Sequence, residues 1–361
     1  MKNRYKPHLL KIVRKRTSVG RDLDEGVRLD RNERVIDFSD HVIKDIYNSV
    51  SKYALNVYPD LDNLYKKLSQ WIGVASDEVY ITNGITEAMR VVFETLINPG
   101  DRMVGISPTY PMYSIYAQIY QADWYTVKFS KDLQLNIKEL CAAIDDATVL
   151  VWLPNPNLPI ESLFGLDEIR TLAEKCKKCG SVLVIDEAYY FFGSVSAIPL
   201  IKDYNNLIIF QTFSKALGLA GARIGYMVSN KENIEYLSKT RSLVELNGIS
   251  AAIGEYIIDH PEIMNQYVHS VEQGRVYVKN ELQKLGLRYY GGNATNGMLI
   301  FLQDQGDTED LLAVLKKQKI YLRGSFDFPI DNCLRLTLGP REAMEIFVKA
   351  LGEWVLSKSV R

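Results

Sequence analysis

From about residue 79 the chain alternates short, unbroken apolar runs with stretches whose apolar positions recur at helical spacing. The runs are "VYIT" (79–82), "MVGI" (103–106), "WYTVKF" (124–129), "TVLVWL" (148–153), "SVLVID" (181–186), "LIIFQ" (207–211) and "IGYMV" (224–228). A strand with one face in water alternates apolar and polar residues. Runs without that alternation suit strands covered on both faces. Helices are predicted between them, among them 85–97, 133–145 and 165–179. In "LDEIRTLAEKCKKCG", Leu166, Ile169, Leu172 and Ala173 share a helical face and Gly180 supplies the stop. Strand–helix alternation of this kind predicts an α/β domain around a largely parallel sheet.

The last third reads differently. A long helix over 261–285 leads into "LRYYGG", "GMLIFLQ", "IYLRGS" and "CLRLTLG", interleaved with helices near 307–319 and 340–357. That is an α+β pattern. The expected organisation is an arm over 1–45, a large α/β domain over 46–255 and a small α+β domain over 256–361. The arm carries the isolated strand-like "GVRLD" and is expected to pack on the small domain.

Composition narrows the function classes. The 361 residues carry a formal net charge of −1 and are 47% hydrophobic. A nucleic-acid protein would show a strong basic bias, so no nucleic acid is expected as partner. The start is locally basic (Lys2, Arg4, Lys6, Lys11, Arg14, Lys15, Arg16), without the apolar stretch of a secretory signal. It reads as a solvated arm or a dimer strap. No window approaches the roughly 18 apolar residues of a membrane span, so the protein is expected in the cytoplasm, away from membranes. Cys176 and Cys179 form a C-x-x-C, but zinc would need a second ligand pair that no nearby residues supply. No metal is expected.

Ligands of open α/β sheets bind at the carboxyl ends of strands. After "VYIT", Gly84 precedes a helix start at Ile85 and Thr86, whose free N–H groups suit an anion. After "MVGISPTY", Tyr110 offers a ring to stack on. After "TVLVWL", "PNPNLP" forms a stiff loop bearing Asn157. Asp186 ends "SVLVID"; it caps the next helix or meets a cation. After "LIIFQ", "TFSKALGLAGARIGY" sets Lys215 between Thr212, Ser214 and small residues, with Arg223 eight positions on. Lys215 is either a snorkelling surface lysine or a nucleophilic amine. Together these groups match what pyridoxal phosphate needs: a lysine for its aldehyde, a carboxylate for its ring nitrogen, a stacking surface, and donors for its phosphate.

"TFSKALGLAGARIGY", "DEAYY", "SPTYPMYSIYA", "NGITEAM", "NVYPD" and "CLRLTLG" together resemble the blocks of the fold-type I pyridoxal-phosphate enzymes, class I/II aminotransferases of the histidinol-phosphate aminotransferase branch. The resemblance implies a large domain with a mostly parallel seven-stranded sheet. It implies a Schiff base on Lys215, the pyridine nitrogen on Asp186, and the ring's 3-hydroxyl oxygen on Tyr189. It places Tyr110 over the ring. Gly84, Ile85, Thr86, Thr212, Ser214 and Arg223 would hold the phosphate. Tyr58 would reach the cofactor of a second subunit, making a homodimer. Arg335, with Arg323, would grip the substrate's anionic group.

Two blocks depart from the branch. Its loop N-P-N-N-P-T-G reads "NPNLPIE" here, with Leu158 where an asparagine bonds the 3-hydroxyl oxygen. Either Asn157 substitutes for it or Tyr189 works alone. In "LDRNERV", Arg34 stands where the branch has an uncharged residue. It either adds a cation beside the substrate, or points to solvent or pairs with Glu33 or Asp30. The expected activity is amino transfer on a small phosphorylated amine or amino acid with glutamate as donor. The alternatives are decarboxylation of phosphoserine or phosphothreonine, and a non-catalytic relative that keeps the fold.

Overall fold

The computed structural model describes residues 6–13, 20–324 and 326–359. Of the basic start, Lys2, Arg4, Arg14, Lys15 and Arg16 lie outside these residues.

All seven apolar runs are strands of one sheet. They are β2 (Val79–Thr82), β3 (Arg102–Ser107), β4 (Asp123–Lys128), β5 (Thr148–Pro154), β6 (Val182–Asp186), β7 (Leu207–Thr212) and β8 (Gly225–Val228). Their spatial order is β2-β8-β7-β6-β5-β3-β4. Only β8 runs against its neighbours. The two-residue period of a strand explains why these runs are apolar throughout. Leu150, Trp152, Val184, Ile208 and Phe210 enter one core, while Val151, Leu153, Leu183, Ile185, Leu207 and Ile209 enter the other. The first core is closed by α3 (Ile85–Leu96), α4 (Met112–Tyr120) and α7 (Lys231–Leu237). The second is closed by α2 (Asp62–Ile72), α5 (Ile137–Ala142), α6 (Leu166–Lys178) and α8 (Gly248–Asp259).

One helix is shorter than its expected 133–145. Leu133 has φ 61°, a left-handed conformation outside any α-helix, and the Asn136 side chain caps the true start by accepting from the Lys138 N–H. The reading also left unplaced α1 (Asp40–Ser49), α2, α4 and α8.

The rest of the chain builds around a second sheet. In it β9 (Tyr289–Gly291), β10 (Gly297–Phe301) and β12 (Cys333–Thr337) pair antiparallel. Val271, Val278 and Leu282 of α9 (Pro261–Lys284), Leu311 and Leu315 of α10 (Gln305–Lys317), and Met344, Phe347 and Leu351 of α11 (Arg341–Ser359) form its core. The "GVRLD" run is β1 (Val27–Leu29), paired in parallel with β11 (Ile320–Leu322). That pairing carries residues 30–35 over the carboxyl edge of the seven-stranded sheet, where Asn32 meets Tyr189.

Candidate active site

The strand ends at that edge lie side by side. Gly225, the first residue of β8, pairs with both Thr82 and Thr212, the last residues of β2 and β7. The turn into α3 and the Arg223 loop therefore share one corner. Chain order reverses between β3 and β5, so the loops after these strands open a crevice there.

At the corner Gly84 takes φ 74° and its side-chain position is filled by a cation. A Cβ there would lie 2.5 Å from Arg223 Nη2. Gly225 is equally constrained, with a Cβ position 2.6 Å from the Ile85 nitrogen. Ile85 and Thr86 open α3, and no side chain caps this helix. Their N–H groups have no acceptor within the helix. A guanidinium thus stands against the positive end of a helix, an arrangement that only an anion relieves. Alongside, the Thr212 hydroxyl lies 3.1 Å from the Ile224 carbonyl and 3.0 Å from Ser214 Oγ.

Asp186 lies next to this corner at the end of β6. It is 3% exposed. Tyr113 donates its hydroxyl to Oδ2 at 2.8 Å, and the Ala188 N–H donates to Oδ1 at 3.1 Å. Burial outweighs these donors and the nearby Lys215 charge, and pushes the carboxyl up to about 6. Tyr113 is held by Trp152, with ring centres 5.1 Å apart. Tyr110 meets Tyr113 edge-on at 5.7 Å and is 46% exposed, so it keeps a free face.

Lys215 follows β7. Its Nζ donates to the Arg31 carbonyl at 3.0 Å and stands 5.7 Å above the Tyr189 ring. Burial pushes its amine down to about 8. The Arg335 charge adds to the fall, Glu33 opposes it, and Arg223 and Asp186 act in those two senses more weakly. The Tyr189 hydroxyl accepts from Asn32 Nδ2 at 2.8 Å, leaving its own proton to donate. Arg335 comes from β12. Its Nη2 donates to the Asp30 carbonyl at 2.7 Å, while its Nε is buried without a partner. Arg323 faces it across an antiparallel bridge and is exposed.

These residues fit pyridoxal phosphate. An amine with a depressed pKa, a buried carboxylate with acceptor capacity, an open aromatic face and a cationic helix start converge on one crevice. No helix among the described residues is long and apolar enough to cross a membrane. Among them no three His, Cys, Asp or Glu residues cluster to hold a metal ion.

Two expected contacts are corrected. Asn157 is fully buried and spent on its own loop and the loop after β3. Its Oδ1 accepts from Thr109 Oγ1 at 2.7 Å, and its Nδ2 donates to the Pro108 and Ile160 carbonyls. It has no N–H left for a 3-hydroxyl oxygen. Arg34 pairs with neither Glu33 nor Asp30: its Nε donates to the Ile36 carbonyl at 3.2 Å, and its Nη1 is buried without a partner. Its guanidinium is sandwiched between Phe38 and Tyr267, 4.2 Å from each ring centre, and its stem lies against Gly218. The carboxylates it was matched with are taken by Arg21, which pairs with Asp30 at 3.1 Å and Glu33 at 2.9 Å. Tyr58 is 78% exposed. Asn32, Tyr113 and Arg21 were missed. Asn32 alone carried a signal, since asparagine is the residue after glycine that most readily takes the left-handed φ of 55° found there.

Comparison with known proteins agrees with this geometry. Residues 23–351 match the family described as aminotransferase class I and II. The histidinol-phosphate aminotransferase of Clostridium botulinum (strain Kyoto / Type A2) is 32% identical over 327 residues, covering 89% of this chain and 90% of that protein. The same-named protein of Thermoanaerobacter pseudethanolicus is 29% identical, covering 91% and 93%. In fold, the crystal structure of histidinol-phosphate aminotransferase from Sinorhizobium meliloti in complex with pyridoxal-5'-phosphate superposes with a TM-score of 0.88 over 98% of both chains, at 23% identity. A Thermus thermophilus aspartate aminotransferase mutant gives 0.78 over 91% and 96%, at 18% identity. The chain belongs to the class I and II aminotransferases and is a pyridoxal-phosphate-dependent enzyme of fold type I.

Proposed function

We infer that this enzyme moves an amino group between glutamate and a small phosphorylated amine or amino acid, and that it works as a homodimer. The observation that carries the substrate class is the buried, unpartnered Nε of Arg335 beside exposed Arg323. Two cations close together on a pocket wall are stabilised by a strongly anionic ligand. The relatives named above are histidinol-phosphate aminotransferases, and histidinol phosphate is such an amine.

Bound pyridoxal phosphate supplies an aldehyde for an amine and a ring that accepts negative charge. The residues of this chain do the rest. Arg223, Thr212, Ser214 and the start of α3 would hold the phosphate. Asp186 would accept from the ring nitrogen and keep it charged, with Tyr113 orienting the carboxylate. Tyr110 would cover one ring face, and Tyr189, with Asn32 fixing its hydroxyl, would donate to the ring oxygen. Lys215, depressed to about 8, has an appreciable neutral fraction near pH 7. It can take the proton from the substrate carbon that bears nitrogen and pass it on. Arg335 and Arg323 hold the anionic end in register with that carbon.

The test is a substrate panel on the holoenzyme with 2-oxoglutarate as acceptor. Histidinol phosphate and phosphoserine should be used far better than histidinol and serine, with glutamate formed. Equal use of the dephosphorylated forms would overturn the phosphate reading. Carbon dioxide release from phosphoserine without glutamate formation would move the enzyme to the decarboxylases.

A further inference from the structure

The loop after β5 leaves the seven-stranded sheet and is bonded into the second one. Glu161 is 8% exposed. Its Oε1 accepts from the Asn293 N–H at 2.9 Å, and its Oε2 accepts from the Ala294 N–H at 3.2 Å and the Thr295 hydroxyl at 2.8 Å. These three residues form the turn between β9 and β10. Leu158 presses on the same turn: a Cβ on Gly297 would lie 2.8 Å from Leu158 Cδ1. Behind it, Arg275 of α9 donates from Nη2 to the Thr295 carbonyl at 3.1 Å.

The other end of the loop is tied to the cofactor crevice. Asn157 bonds Thr109 and Pro108, next to Tyr110. The Asn155 N–H donates to the Asp186 carbonyl at 2.8 Å. On β10, Leu299 pairs with Arg335 of β12. Through this loop the sheet that carries Arg335 is fastened to the sheet that carries Lys215.

We propose that Glu161 is a positioning residue whose carboxylate clamps the β9–β10 turn and so sets the distance between Arg335 and Lys215. This rests on the inferred role of Arg335 in gripping an anionic substrate. Charge-assisted bonds from two N–H groups and a hydroxyl make a stiff joint, and removing the acceptor would leave buried donors unpaired. Apart from Asn32 and Tyr58, the groups assigned to the cofactor sit on the seven-stranded sheet or on the loops and helices that follow its strands, so a loosened joint should affect substrate more than cofactor.

The test is Glu161→Leu in the holoenzyme, which removes the acceptor, with Thr295→Val as a milder second variant should the first fold poorly. Amide exchange at Asn293 and Ala294 should be slow in the parent and accelerate about tenfold or more in the variant, as expected for local opening. KM for phosphorylated amine and for glutamate should rise about tenfold, with kcat and cofactor affinity within about twofold, the signature of lost uniform binding. Unchanged exchange at both amides, or a fall in kcat at constant KM, overturns the proposal. Should the enzyme transfer no amino group to any substrate tested, inorganic phosphate binding to the holoenzyme decides. It should be weaker in the variant by about tenfold if Arg335 has moved, and equal binding overturns the proposal.

Discussion

Lys215 is the residue on which the reaction turns, and its surroundings make a measurable claim. Burial first, and the Arg335 charge second, bring its amine down to about 8. Only the neutral amine attacks an aldehyde. The rate at which apoprotein captures pyridoxal phosphate should therefore rise with pH to a midpoint near 8, whereas a free lysine would titrate near 10.4. Arg335→Met removes a neighbouring cation and should move that midpoint upward; an unmoved midpoint would remove Arg335 from the causes. Lys215→Ala should abolish turnover, and retained turnover would remove this lysine from the mechanism. The sequence singles out Lys215, Asp186 and Arg223 as candidates because they are among the few polar residues at or just beyond the ends of apolar strands, and the family resemblance gives them their roles. Arg34 was not legible in this way. Its fate depends on Tyr267, which arrives from α9, and nothing in "LDRNERV" announces an aromatic partner.

At the scale of elements, the turn between β2 and α3 is the most constrained piece of the site. Gly84→Ala would strain a φ of 74° and force the Cβ against the Arg223 guanidinium. Displacing a charge-assisted contact costs about 1.5–3 kcal/mol, or roughly ten- to a hundredfold in affinity. Titration of the apoprotein with pyridoxal phosphate should show that loss while the far-UV spectrum stays unchanged. Equal affinity would mean that the phosphate sits elsewhere. The strands were readable because a buried parallel strand imposes its pattern residue by residue. The helix expected over 133–145 was misjudged at its start. Periodicity registers the apolar spacing of Leu133, but the left-handed conformation of Leu133 belongs to the loop before Asn136. The loop 155–161 shows the same limit. Its sequence displays two amides, and only the packing shows that Asn157 spends its side chain on Pro108, Thr109 and Ile160.

At the scale of the whole molecule, the inferred homodimer is tested by subunit mixing. Tyr58 is 78% exposed and flanked by exposed Tyr53, Leu55 and Val57. If it completes the partner's site, a Tyr58→Phe subunit and a Lys215→Ala subunit should form hybrids with one site holding both native residues. Activity should recover on mixing, and a stable, active monomer by size measurement would exclude the arrangement. The sequence alone determined the seven strands, the parallel character of their sheet, the cofactor and the family, because those follow from short-range pattern and from motifs a few residues long. Tertiary structure decided how the second sheet faces the first. Asn32 reaches Tyr189 across 157 residues of chain, and Arg335 reaches the Asp30 carbonyl across 305. Glu161 accepts from a turn 132 to 134 residues away. Each of these bonds depends on where segments far apart in the chain come to rest against each other. That resting position is a sum over many weak contacts, none of them encoded at any one place along the chain.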